Sequence, residues 1–214
     1  LPDKGFVRHY AIRQSTDGLW YRISEWIDTE SWGSLLTSGR LQDRQVALDL
    51  FFQMASILTV LHQEGYFIPH LILNDIMLVK AENGRLQVKI DYKLSRFFDP
   101  KLDRPGPMLK NLLDCHPDII NQRPLDYRSD IWSLAKIFVE LLTADLETRD
   151  FPAKVDELDL SSELNVLLKV MLADDPDLRP RSMAQVADTL THIKEKDFKA
   201  TVDGSDRSIP VQEI

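Results

Sequence analysis

Between Ser129 and Thr143 apolar residues fall nearly all round the helix that the segment would form. Ile131, Trp132, Leu134, Ile137, Phe138, Val139, Leu141 and Leu142 leave a helix there with no polar face. Such a helix is stable only when other elements surround it, so it runs through the centre of a domain. The chain has 214 residues, enough for one large domain or two small ones, and its 43% apolar fraction is sufficient to build that core.

Other elements can be placed around it. Val46, Leu50, Met54, Ile57, Leu58 and Leu61 recur at steps of three and four, which predicts a helix over 43–64 with one apolar stripe. Gly65 suits a left-handed stop. Ile76–Val79 and Leu86–Ile90 flank Glu82-Asn83-Gly84, a strong hairpin signal. Upstream, Arg8–Ile12 and Leu19–Trp26 are rich in aromatic and β-branched residues around a Ser15-Thr16-Asp17-Gly18 turn, and read as two strands. Residues 96–118 carry four prolines and no periodicity, which predicts a long loop. A helix is expected over 162–172. Another starts at Ser182, whose spacing to Gln185 is that of a capping box, and runs to about Lys196. Residues 197–214 are expected to form a linker or extended tail.

The net charge is -8 and the pI about 5.1. A nucleic-acid binder or a protein of anionic membrane surfaces would need a basic face, so both are disfavoured. No apolar run approaches the length expected of a bilayer span. Cys115 is the single cysteine, which excludes an intrachain disulfide and points to a reducing, cytoplasmic setting. The chain begins on Leu1, so flanking domains are expected beyond it.

The ungapped stretch Gly65-Tyr66-Phe67-Ile68-Pro69-His70-Leu71-Ile72-Leu73-Asn74-Asp75-Ile76-Met77-Leu78 resembles the catalytic loop of a protein kinase. Further segments follow in that family's order and spacing. Val88–Ser95 resembles the strand and Asp-Phe-Gly segment, with Asp91 kept, Tyr92 for Phe and Lys93 for Gly. His116-Pro117-Asp118 resembles Ala-Pro-Glu. Ser129-Asp130-Ile131-Trp132-Ser133-Leu134 and Asp174-Asp175-Pro176-Asp177-Leu178-Arg179-Pro180 resemble the two later large-lobe motifs. The resemblance covers roughly residues 5–194. It implies an α+β, mainly α fold: a kinase-like C-terminal lobe with a truncated small lobe of a few strands. The implied organisation is 1–27 as a remnant of small-lobe strands and hinge, 28–196 as the C-lobe and 197–214 as the tail.

The family's chemistry is thinner than its frame. Ile68-Pro69-His70 stands where His-Arg-Asp belongs, so His70 occupies the position of the base, and Asp75 replaces the metal-binding Asn. The favoured reading of His70 is a residue freed from its old duty. Asp75 and Asp91 fall at the two metal positions and are able, as oxygen ligands, to hold magnesium weakly; the plainer reading is a turn residue and a locally paired one. Lys93 is close enough in sequence to neutralise Asp91. Glu25, Trp26 and Ile27 fall at the hinge and would meet a nucleotide if one binds, with Ser24 as gatekeeper. The Gly-rich loop, the phosphate-binding lysine and its glutamate partner are absent from these residues. Between Arg96 and Asp118 there is no Ser, Thr or Tyr to take a phosphate, and Pro69 replaces the arginine that would receive one.

What the resemblance implies as structure is more complete. Asp130 should bind the catalytic-loop backbone, and Asp118 should pair with Arg179. Cys115-His116 is not read as a nucleophile pair, and His9, His62, His116 and His192 have no metal-like spacing. Trp20, Trp26 and Trp32 are expected to pack around the hinge rather than to form a partner surface.

The leading expectation is a catalytically inactive kinase-like module that binds a protein partner or a neighbouring domain, without nucleic acid, membrane or cofactor. The alternatives are part of an active Ser/Thr kinase whose small lobe lies upstream, and an ATP- or Mg2+-binding sensor without turnover.

Overall fold

The computed structural model describes residues 5–68, 71–92, 116–146 and 148–205. Two strands, β1 (His9–Gln14) and β2 (Trp20–Ser24), form an antiparallel hairpin. After β3 (Thr29–Glu30) come a short helix α1 (Trp32–Thr37) and the long α2 (Arg44–Gln63). Strands β4 (Ile76–Lys80) and β5 (Leu86–Ile90) complete a three-stranded antiparallel sheet in the order β3-β4-β5. The rest is helical: α3 (Pro117–Ile120), α4 (Tyr127–Thr143), α5 (Phe151–Glu157), α6 (Ser162–Met171) and α7 (Met183–Ser205).

Helix α4 is the central one, with Ile131, Leu134, Ile137, Phe138 and Val139 fully buried. It meets α2 through Phe51 and Phe138, stacked at 4.0 Å and 9°. Burying each ring is worth about 1.5–3 kcal/mol, and the contact between them adds about 1. Trp132 sets its edge against Phe151 at 5.7 Å, which fastens α5 to α4. Asp43 caps α2 by accepting from Gln45 N at 2.9 Å, and Gly65, at φ 79°, lets the chain leave it.

Helix α2 also completes the sheet. The Gln53 amide donates to Leu86 O at 3.0 Å and accepts from Val88 N at 2.9 Å, so a helix side chain satisfies backbone groups of β5. By length and composition alone, α2 is long and apolar enough to cross a membrane. In the fold, Leu48, Phe51, Met54 and Leu58 are completely buried in the core, as a central helix requires.

The segment preceding β1 joins the same sheet at β5, through a parallel bridge between Phe6 and Ile90. Val7 N donates to Ile90 O at 3.0 Å, and Ile90 N to Gly5 O at 2.8 Å. Gly5 has φ +89°, and a Cβ there would meet Ile57 Cγ1 at 2.4 Å, so only glycine lets the strand approach α2 this closely.

Three differences from the sequence reading stand out. Helix α7 continues to Ser205 rather than ending near Lys196, so part of the expected tail is helical backbone. Helix α5 was not anticipated, although Asp150 followed by Phe151-Pro152 is a helix start; Asp150 accepts from Ala153 N at 3.1 Å. Gln185 reaches Arg181 N at 3.0 Å while Ser182 Oγ accepts from Gln185 N, a capping arrangement that engages one residue further back than the Ser182-Gln185 spacing suggests.

Candidate functional site

The catalytic-loop resemblance lies between α2 and β4, and α4 fixes it from beneath. The Asp130 carboxylate accepts Ile68 N–H at 3.1 and 2.9 Å, and His62 Nε2 lies 2.8 Å from Asp130 Oδ2. Complete burial pushes the Asp130 carboxyl up to about 6, against the pull of these partners. Ile68 and Leu71 are buried in the core. Pro69 and His70 lie outside the described residues.

Asp118 lies in the first turn of α3, and Arg179 follows the short turn at Pro176–Leu178. They meet in a buried two-pronged pair, Nη1–Oδ2 at 2.8 Å and Nη2–Oδ1 at 2.7 Å. Arg179 also donates to Ala173 O, Arg128 O and Asp174 O, at 2.8, 3.1 and 3.1 Å, so all five guanidinium N–H groups are used. Ser129 Oγ donates to Asp118 Oδ2 at 2.8 Å. Burial raises the Asp118 carboxyl, but Arg179 and Ser129 outweigh it, and the group sits below the usual carboxylate range. His116 is fully buried against Trp132, rings 4.6 Å apart. Its Nδ1 accepts from Asp118 N at 3.2 Å, which places the proton on Nε2, 3.3 Å from Ser129 O. Burial pulls the imidazole down to about 4.

The two candidate metal residues lie where β4 and β5 meet. Asp75, 1% exposed, accepts from Ile72 N at 3.3 Å, and its carbonyl receives Asp91 N–H at 2.7 Å. Asp91 is 6% exposed. Its Oδ2 holds the Arg22 guanidinium at 2.9 Å, and His9 Nε2 lies 3.4 Å from Oδ1. Burial and Arg22 push His9 down against the pull of Asp91. A guanidinium already neutralises Asp91, and no three His, Cys, Asp or Glu side chains cluster for a metal among the described residues. Arg22, on β2, was not picked out from the sequence, where Lys93 was the expected neutraliser. Lys93, Ser95 and the 96–115 segment with Cys115 are outside the described residues.

At the hinge, Glu25 Oε1 receives Lys89 Nζ at 2.6 Å and Arg8 N at 2.9 Å, and Glu25 N donates to Arg8 O at 2.9 Å. The hydrogen bond from Lys89 holds Glu25 below its ordinary range. The hinge amide is thus used within the protein. Trp26 is 94% exposed and Trp20 70%, against the expectation that they pack; only Trp32 does, donating from Nε1 to Ile76 O at 2.9 Å. Ile27 is half-buried. Tyr92 packs on the core, and its hydroxyl donates to Phe67 O at 3.3 Å.

No protein-family model matches the chain. The human Serine/threonine-protein kinase ULK3 is 28% identical over 194 residues, covering 81% of this chain and 40% of that protein. Its rat counterpart is 27% identical with the same coverage. The chain thus spans about 40% of the length of the curated relatives it matches. Among solved structures, the PknI kinase domain of Mycobacterium tuberculosis matches with a TM-score of 0.61 at 16% identity, over 90% of this chain and 73% of that one. A double mutant of that domain gives a TM-score of 0.62 at 15% identity, over 90% and 72%.

Proposed function

The chain has the protein kinase-like fold, mainly helical with a truncated small lobe, and on that premise we propose that it is a catalytically inactive, pseudokinase module used for interaction and regulation. The ion pair between Arg22 and Asp91 carries this reading. In a kinase the acid at this position neutralises charge through magnesium, and phosphoryl transfer is mostly positioning and charge neutralisation. Here a side chain of the protein itself takes that role. The lack of a phosphate acceptor between Arg96 and Asp118 supports the same reading, since the usual ordering switch has nothing to act on.

What such a module offers a partner is its hairpin. Tyr10, Ile12, Trp20 and Trp26 are all exposed by more than half. A two-stranded hairpin is marginal alone, and exposed aromatics on one favour a covering surface. The partner is a protein or a neighbouring domain of the same polypeptide, in a cytoplasmic signalling scaffold; the single cysteine supports that setting.

The test is thermal unfolding with ATP and magnesium. An inert module melts at the same temperature with and without them. A rise that grows with ligand concentration replaces the inert module with an ATP- or Mg2+-binding sensor, because binding to the folded state stabilises by mass action. A second reading is favoured by the names of the curated relatives and by the fraction of them the chain spans: part of an active Ser/Thr kinase whose small lobe lies upstream. A longer polypeptide that transfers phosphate from ATP, and stops on Asp91→Ala, would establish it.

A further inference from the structure

At the other end of β5 from Asp91, roughly 15 Å along the strand, a cavity of about 460 Å³ opens between α2, the β4–β5 turn and α7. Its apolar floor is the half-buried Val46, with Leu50 and Leu86 almost closed to solvent beneath it, and its rim carries Arg40, Arg85 and Lys194 around Asp49. Asp49 accepts from Arg85 Nε and Nη2 at 3.2 and 2.6 Å, from Lys194 Nζ at 2.8 Å and from Gln53 Nε2 at 2.8 Å. Two cations thus share one carboxylate, and one positive charge is left over. Arg40 is balanced by Glu30, through Nη1 at 2.9 and 3.2 Å. Lys194 is held in place by Phe52, with Nζ 4.7 Å from the ring centroid, while the Arg85 side chain is 62% exposed. A local excess of positive charge over an apolar floor is set in a chain whose net charge is -8.

We propose that this cavity is a docking site for an acidic peptide segment of a protein partner, with an apolar side chain seated on Val46 and flanking carboxylates on Arg85 and Lys194. Charge complementarity selects the partner, and the floor distinguishes a peptide from a bare anion. The proposal does not rest on whether the kinase-like lobe is active, because no group of the hinge or the metal positions takes part.

The test uses the full chain and a fluorescein-labelled peptide, Glu-Glu-Leu-Glu-Leu-Glu-Glu, followed by fluorescence anisotropy. Binding is expected, weakening as salt is added because the cations are at the surface. Lys194→Gln and Arg85→Gln should each weaken it about tenfold, the worth of one charge-assisted hydrogen bond. Each substitution leaves Asp49 with one cation, so neither strands a charge, and unchanged melting curves verify the fold. Arg13→Gln, on the hairpin, should bind as the wild type does. Equal binding by the peptide with Lys in place of Glu overturns the proposal. So does failure of the acidic peptide to bind up to about 1 mM, or equal affinity in both cavity variants. Displacement by inorganic phosphate at matching concentration would replace the peptide with a small-anion site, and also overturns it.

Discussion

The helical lobe and the β1–β2 hairpin treat charge and aromatic surface in opposite ways. In the lobe, charged groups lie inside and are saturated: Arg179 uses every N–H it has, and Asp118 accepts from Arg179 and Ser129. Large aromatic rings of the lobe's core, Phe51 and Phe138, are buried against one another. On the hairpin, Trp20, Tyr10 and Ile12 face solvent. Hairpin and hinge are tied to the sheet by Arg22 to Asp91, Glu25 to Lys89, and the backbone at Gly5 and Val7. Over-determined contacts fix a shape, whereas a few contacts at one edge leave a surface available. The lobe is therefore the rigidly fixed part of the molecule, and the hairpin the part that the proposed function offers to a partner.

The largest expected effect would break the scaffold itself. Arg179→Ala leaves the Asp118 carboxylate buried without its cation, and removing one partner of a buried pair costs about 3–5 kcal/mol. Urea unfolding should show the midpoint falling with the slope unchanged. A loss under about 1 kcal/mol would mean the lobe is not built on this pair, and the contrast with the hairpin would fail.

A smaller effect follows from His116. Its imidazole is neutral in the fold, because burial pulls it from 6.5 to about 4. The unfolded chain then binds more protons between these values, so the histidine destabilises the fold progressively as pH falls from about 6.5 to 4. The full difference is about 3 kcal/mol. Asp130 acts with the opposite sign: raised to about 6, it favours the fold as pH falls toward its ordinary range. The wild type should therefore show a muted pH dependence over this window. His116→Gln, which removes one side of the balance, should lose stability more slowly on acidification than the wild type, or gain it. Melting temperatures at pH 4.5 and 7 for both proteins measure this, and parallel curves would refute it.

How much of this was legible depended on the reach of each interaction. The all-round apolar pattern at 129–143 announced a central helix because periodicity is local, and α4 is buried from Ser129 to Leu141 except at Lys136. Asp118, Asp130 and Arg179 were found because a family resemblance carries long-range pairs that spacing cannot. Arg22 was missed: its partner Asp91 is 69 residues away, and Lys93 was the nearer cation in sequence. Gln53 was missed for the same reason, since a helix glutamine shows no sign of bonding a strand. Trp20 and Trp26 were misplaced because strand propensity describes the backbone they favour and not what covers them. The helical stretch 197–205 carries no apolar stripe, so nothing in its pattern separated it from a tail.

The smallest effect sharpens the contrast most. Arg22→Gln removes the guanidinium from Asp91, which sits 7% exposed in its side chain, yet His9 remains 3.4 Å away and Arg22 was itself one-third exposed. Water can therefore replace much of what is lost, and the cost to global stability should be about 1 kcal/mol or less. Its location matters more than its size. If the hairpin is held by a few edge contacts, the loss should appear as local opening, because the free energy of sub-global opening depends on the contacts of the unit that opens. Amide hydrogen exchange in the variant should quicken across His9–Gln14 and Trp20–Ser24 and stay unchanged along α4. Equal quickening in both regions would join hairpin and lobe into one cooperative unit. The hairpin would then be part of the scaffold, and its exposed tryptophans would need another explanation.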